Sequence, residues 1–417
     1  MQLQTILNHV EPHKRFVYRH VRWDEEALVP TLRVEVEHRK NSRPICSGCD
    51  EVRPGYDRLA ERSWEFVPLW QIPVLLVYAM RRVNCPTCGV VVESVPWGHG
   101  KCRQTKSYRW FLAHWAKRLS WSEVALVFGT SWNTVYRAVS DVVLWGRVHQ
   151  DVRGVTAIGV DEIQWQRGHH YLTLVYQIDA GCRRLLWVTT ERTERSLETF
   201  FDLFGEVILP TLQYVCSDMW RPYLEVIRRR AGGAVHVLDR YHIMARMNKA
   251  IDEVRASEAR RLKADGYEPI LKHSRWCLLK RATNLTGKQT LKLRELLEYN
   301  LKAVRAYLLR EDFQRFWEYQ TPAWAGRFLR DWCTRTMRSR LEPMKKVARS
   351  LRRHEALLLN WFRAKGEISA GIVEGFNNKA KLTMRKAYGF RTSEAITVAL
   401  YHQLGNLPEP EFTHRFW

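Results

Sequence analysis

The chain has 417 residues, with 67 Lys and Arg against 44 Asp and Glu, a formal net charge of +23, and an apolar fraction of 46%. That apolar content excludes wholesale disorder, and the length allows two or three domains. The charge makes a polyanion the expected partner, because Lys and Arg neutralise phosphates and release counterions; a merely solubilising surface is the bland alternative. The longest clean apolar run, Ile72 to Met80, is too short to span a bilayer, and the opening MQLQTILNHVEPHKRF lacks the order of a signal peptide. The expectation is a cytoplasmic protein without a membrane partner.

Residues 1–105 alternate β-rich runs (TLRVEVEHR, PVLLVYAMRRV) with Pro and Gly turns. Within them, Cys46-Ser-Gly-Cys49 and Cys85-Pro-Thr-Cys88 form two C-x-x-C pairs, with Gly48 and Gly89 supplying turn flexibility. Four thiolates satisfy tetrahedral zinc and leave no open position, so this spacing predicts one structural Zn2+, with a small β-hairpin between the knuckles. Two unrelated knuckles or a redox pair are the alternative. Cys182, Cys216, Cys277 and Cys333 stand alone and read as buried small apolar residues.

Residues 106–150 read as helices, and Trp121 to Ser140 has the spacing of a helix-turn-helix. Ser122 is the expected cap of the first helix, Ala125 the small crossing residue, Gly129 the turn and Val135 the pin of the second helix. Ser131, Trp132, Asn133, Tyr136, Arg137 and Ser140 then face outward, and of these Ser131, Asn133, Tyr136 and Arg137 are the candidate DNA contacts. Any amphipathic helix pair can imitate this spacing, although the adjacent Lys101, Arg103, Lys106 and Arg109 favour DNA.

Residues 151–245 predict three strands, a helix, a strand, a helix and a fifth strand. Asp161 ends the apolar run AIGV and Asp218 ends YVCS, so two strand-terminal carboxylates can converge on a cation in the layout of a ribonuclease H-like sheet. Residues 246–365 form a charged block with helical periodicity, read as an insertion. It carries Arg327, Arg330, Arg335, Arg338, Arg340, Lys345, Lys346, Arg349, Arg352 and Arg353 against Asp331 and Glu342, an excess suited to DNA backbone or to a solvated helix face. Residues 366–417 are again mostly helical and offer Glu374 as a third acid. Glu374, Asn378, Lys381 and Arg385 share one helix face, and an acid beside an amide and two cations suits a metal next to a phosphodiester. A salt-bridged surface face is the alternative. Asp239-Arg-Tyr-His242, after the fifth strand, reads equally as a supporting element and as a buried structural histidine.

Taken together, G-V-D-E, H-Y-L-T-L-V-Y-Q-I-D, S-D-M-W-R-P-Y, L-D-R-Y-H-I, V-E-G-F-N-N-K-A-K and A-Y-G-F-R, after the two cysteine pairs, resemble the ISL-three family of insertion-sequence transposases nearly end to end. Ala370-Gly371 and Phe376 depart from the family pattern without touching the acids. The resemblance implies a multidomain α/β protein whose ribonuclease H-like catalytic domain (151–245 and 366–417) is split by the helical insertion. It also implies that Asp161, Asp218 and Glu374 form a DDE triad holding two Mg2+ or Mn2+ ions. Asp161 would bridge both ions, with Asp218 and Glu374 each holding one. Asn378, Lys381 and Arg385 would contact DNA. The implied partners are double-stranded DNA, as terminal inverted repeats and as target, and a second copy of the chain in a homodimer or larger assembly. A zinc-finger and helix-turn-helix regulator, and a nuclease that cuts without joining, are the rival readings.

Overall fold

A computed structural model describes residues 2–364 and 370–411 and divides the chain into two compact units, Met1–Gln150 with Thr383–Trp417, and Asp151–Leu382. The expected start of the C-terminal part at residue 366 lies outside the described residues.

The first unit opens with α1 (Leu3–Val10), β1 (Phe16–Asp24), β2 (Thr31–His38), β3 (Gly55–Leu69), β4 (Ile72–Cys85) and β5 (Gly89–Val92). The strands form one sheet in the order β1-β2-β4-β3, with β5 also on β4. Trp70 and Gln71 join β3 to β4, both at positive φ, as a two-residue hairpin turn requires. Trp97 anchors the core with its ring edge-on to Phe16, Trp64 and Tyr78. The buried Glu93 is matched by Arg81 (2.7 Å) and the Tyr78 hydroxyl (2.6 Å), so neither charge is left bare.

Three helices follow, α2 (Lys106–Arg118), α3 (Trp121–Val127) and α4 (Trp132–Val148). The cap of α3 is Ser120 and not Ser122, because the reciprocal bonds of a capping box need Glu123 three residues on: Glu123 N donates to Ser120, and Ser120 N to the Glu123 carboxylate. Gly129 has φ +59, and Val135 is fully buried. Arg109 is partly buried against Asp141, so that member of the basic run has a structural partner.

In the second unit come β6 (Ala157–Gln166), β7 (His170–Ile178), β8 (Arg183–Thr190), α5 (Glu194–Ile208), β9 (Tyr214–Ser217), α6 (Arg221–Arg230) and β10 (Val235–Leu238). The sheet order is β10-β9-β6-β7-β8; β6, β7 and β8 pair antiparallel, whereas β9 runs parallel to both β6 and β10. Ile158 and Val160 bury one sheet face against Leu197 and Phe200 of α5 and Val226 of α6. Helices α7 (Arg240–Ala264), α8 (Arg275–Leu279), α9 (Gly287–Leu297), α10 (Lys302–Gln314), α11 (Pro322–Arg338), α12 (Glu342–Arg353) and α13 (Glu355–Arg363) follow. Their core, built on residues such as Phe313, Trp332 and Leu351, is continuous with Met219 and Leu238 at the strand ends. Asn360 of α13 donates to the His236 carbonyl, satisfying an acceptor of the edge strand β10. The last helices are α14 (Ala370–Lys386) and α15 (Ser393–Leu404).

Cys216, Cys277 and Cys333 are buried as expected, but Cys182 is half-exposed, because it lies in the turn between β7 and β8 and not in a strand. No helix among the described residues is long and apolar enough to cross a membrane.

Candidate active site

Asp161 stands in the middle of β6 rather than at its end, because β6 runs on beyond its partner β9 to pair with β7 alone. Register nevertheless aligns the acids. Gly159 pairs with Cys216 and Ser217 with Leu238, so the register puts Asp161, inside β6, in the same row as Asp218 and Asp239, which stand one residue beyond the ends of β9 and β10. Backbone N–H groups hold one oxygen of each: Glu162 N donates to Asp161 (2.8 Å), Trp220 N to Asp218 (2.8 Å) and Tyr241 N to Asp239 (2.6 Å).

The remaining oxygens meet two polar groups. His242, in the first turn of α7, puts Nε2 3.6 Å from Asp161 Oδ2 and 3.8 Å from Asp239 Oδ2. Asn377 of α14 donates Nδ2–H to Asp161 Oδ2 and accepts from the Tyr176 hydroxyl (3.1 Å). The closeness of α14 to the sheet depends on Gly159, where a Cβ would lie 2.5 Å from Val373 Cγ2. Val373, Phe376, Asn377 and Ala380 are its buried face, with Phe376 stacked on Tyr176.

Glu374 is half-buried on α14, within electrostatic reach of Asp239. Asn378, Lys381 and Arg385 lie on the exposed face, so the amide that reaches Asp161 is Asn377 and not its neighbour Asn378.

The electrostatics are those of crowded acids. Burial raises the Asp218 carboxyl above its ordinary range and Asp239 to about 6. Burial alone would lower His242, but the close Asp161 carboxylate and the charges of Asp239 and Asp218 outweigh that and raise it to about 9. On the opposite sheet face, burial lifts Glu162 to about 7 despite its ion pair with Arg192 (2.7 Å), whose guanidinium lies over Trp220. An all-oxygen donor set with surplus negative charge fits hard divalent cations. Among the described residues these acids do not close as tightly as the four cysteines do.

Those cysteines form the second cluster, with ligand atoms all within 4.8 Å of one another. The Gly48 N–H donates to Cys46 Sγ (3.4 Å), and a Cβ on Gly48 would lie 2.8 Å from Cys88 Sγ. Backbone N–H groups lower the Cys85 thiol to about 6. Burial and the neighbouring thiols raise Cys88 in turn, as expected where four thiols crowd together, and four convergent thiols fit zinc.

On α4, Ser131, Asn133 and Arg137 are exposed and Tyr136 is half-exposed, with Ser131 serving as N-cap. The basic residues of α11 and α12 are mostly exposed, but several are paired: Arg330 with Glu355, Arg335 with Asp312, and Arg349 with Glu342.

Asp239 and His242, which the sequence offers equally as a supporting element and as a buried histidine, stand beside Asp161, and Asn377 is a neighbour of Asp161 that the sequence reading does not single out. D-R-Y-H directly after a strand was a usable signal. So was a polar Asn377 within the apolar spacing of Val373, Phe376 and Ala380.

A family model described as transposase, of the DDE type and the ISL-three group, matches residues 158–400, more than half of the chain. The chain is 29% identical over 354 residues to the transposase for insertion sequence element IS1001 of Bordetella parapertussis, covering 84% of this chain and 86% of that protein. It is 27% identical over 424 residues to the transposase for insertion sequence element IS1557 of Mycobacterium tuberculosis, covering 95% and 94% respectively.

Proposed function

The chain belongs to the ISL-three family of DDE-type transposases, enzymes that act on DNA, and on that premise we propose that it binds the terminal inverted repeats of an insertion sequence and catalyses strand cleavage and strand transfer at Asp161, Asp218 and Glu374. The observation that carries this reading is the alignment of Asp161, Asp218 and Asp239 on adjacent strands, with the Glu374 helix packed on the same sheet at Gly159. The strand order supports a ribonuclease H-like domain interrupted by a helical insertion.

Two divalent ions held by Asp161, Asp218 and Glu374 would supply the charge that activates a water or a DNA 3′-hydroxyl and stabilises the departing oxygen. The chain's own residues prepare that chemistry. Asn377 fixes the rotamer of Asp161 through a bond that Tyr176 in turn orients. The His242 cation offsets repulsion between Asp161 and Asp239. Asn378, Lys381 and Arg385 offer an amide and two cations to phosphates along the exposed face of α14, and the arginines of α11 and α12 follow the DNA backbone. The helix pair α3–α4 acts as a helix-turn-helix, with Ser131, Asn133, Tyr136 and Arg137 toward the repeat. The zinc knuckles stiffen the sheet beside it, and two or more copies assemble on DNA.

The test is incubation of the protein and magnesium with labelled duplexes ending in the inverted repeats that flank its gene. Joined products are expected. Products cut but never joined would reduce the activity to that of a nuclease, and no cleavage with any divalent metal would return the regulator reading.

A further inference from the structure

The turn Ala387-Tyr-Gly-Phe-Arg391, between α14 and α15, has no part in the site above. Its backbone is bent through two consecutive left-handed residues, Tyr388 at φ +53 and Gly389 at φ +96, held by N–H bonds from Tyr388 to Arg385 O and from Gly389 to Met384 O. A bulky side chain at positive φ is costly, and folding alone would favour Gly or Asn at position 388. Yet the Tyr388 side chain is fully exposed, at 100%, so core packing does not account for it.

Beside the turn lies a cavity of about 1000 Å³ formed wholly within the first unit. Aromatic rings line it. Trp121 lies 5.7 Å from Phe390 and 5.4 Å from Trp132, which itself stacks on Tyr136 at 5.4 Å. Lys386 and Arg391 are on its wall, and the one acid there, Glu123, is bound into the cap of α3. His402 also lines it, 6% exposed, with a buried Nε2 that has no hydrogen-bond partner. An aromatic, cation-edged cleft suits a ligand with a flat ring and a negative charge.

We propose that this cleft takes one unstacked nucleotide of DNA, its base against the Tyr388, Phe390 and Trp132 rings and its phosphate beside Lys386 and Arg391. The inference rests on the DNA reading above, and it adds a site that senses an unpaired base independently of the acids. Aromatic faces stack any base, so the cleft recognises unpairing rather than sequence.

The experiment uses the full-length protein and two duplexes of the same sequence, one fully paired and one carrying a single unpaired 2-aminopurine. Tighter binding of the bulged duplex is expected, by about tenfold, with quenched 2-aminopurine emission, as stacking on an aromatic ring requires. In Tyr388→Ala the affinity ratio between the two duplexes should collapse toward one, and in Tyr388→Phe it should persist. Tyr388→Gly should behave as Tyr388→Ala while relieving the backbone, which separates loss of the ring from loss of the fold. Equal affinity of the parent for both duplexes, without quenching, overturns the proposal and leaves the DNA reading standing. Binding to neither duplex overturns both. A fall in self-association of the free protein on Tyr388→Ala, with the ratio intact, assigns the cleft to a second copy of the chain and overturns it equally.

Discussion

The two ligand clusters of this protein are built on opposite plans. The four cysteines come from two tight turns, and their sulfur atoms already sit within 4.8 Å of one another. The acids come from positions 161, 218, 239 and 374, far apart in sequence, and their like charges repel one another. The thiol cluster is closed by backbone geometry, by the Gly48 approach to Cys88 and by N–H bonds to sulfur. The acid cluster is held by an imidazole and an amide that soften its repulsion without filling it. A closed thiol set suits the structural role proposed for it, whereas the catalytic role proposed for the acids requires room for the reacting atoms.

Breaking the closed cluster should have the largest effect. Cys46→Ser removes one of four ligands, and structural zinc is worth on the order of 10 kcal/mol of apparent folding free energy in small fingers. Elemental analysis should find one zinc per chain in the parent and less than that in the variant, with early melting of the first unit. Zinc-free parent protein of unchanged stability would place the two clusters on the same footing.

Next in size is the loss of an acid. Asp161→Asn, Asp218→Asn and Glu374→Gln each keep size but remove charge, and each should slow cutting and joining of repeat-end DNA at least ~100-fold. Repeat binding, which rests on basic residues elsewhere, should persist in a gel-shift assay. Glu374→Gln cleaving at the parental rate would move the third acid elsewhere, with Asp239 the next residue to test.

The seat of α14 sharpens the comparison further. Gly159→Ala pushes a methyl to 2.5 Å from Val373, a branched side chain that cannot swing clear. Overpacking there should cost about 1–3 kcal/mol in denaturant melts and lower activity by displacing Asn377 and Glu374 together. Adding Val373→Ala should restore part of both. A Gly159→Ala protein with unaltered activity would separate the helix seat from the chemistry.

How much of this was legible follows the same division. The cysteine site could be read from spacing because each pair is local and the turns are short. Asp161 and Asp218 were visible at the ends of apolar runs, although β6 continues past Asp161 because its antiparallel partner β7 outlasts β9. Asp239 and His242 stayed ambiguous because a histidine after a strand serves burial as readily as function. The i, i+4 spacing from Glu374 selects Asn378, whereas the apolar spacing of Val373, Phe376 and Ala380 turns its neighbour Asn377 inward. Ser120 and Glu123 stand at capping-box spacing, a signal that competes in the sequence with the nearby Ser122.

The smallest expected effect tests whether charge organises the open cluster before metal arrives. His242 is raised from 6.5 to about 9 by Asp161, Asp239 and Asp218, against the pull of burial. A histidine with a raised folded pKa contributes stability that is fully present below the unfolded value near 6.5 and is lost as pH climbs through about 9. His242→Gln keeps a hydrogen-bonding side chain and removes that titration. In buffer free of magnesium and manganese, the parent should therefore exceed the variant in stability by on the order of 1 kcal/mol at pH 6, a modest figure because the imidazole is partly exposed. The gap should shrink steadily between pH 6.5 and 9.5. Saturating magnesium should narrow it at every pH, since metal charge and imidazolium charge compensate the same carboxylates. Thermal melts of both proteins across that range provide the check. A gap that stays constant with pH would mean that His242 acts as a neutral spacer, and the repulsion among the acids would then be relieved by some other group.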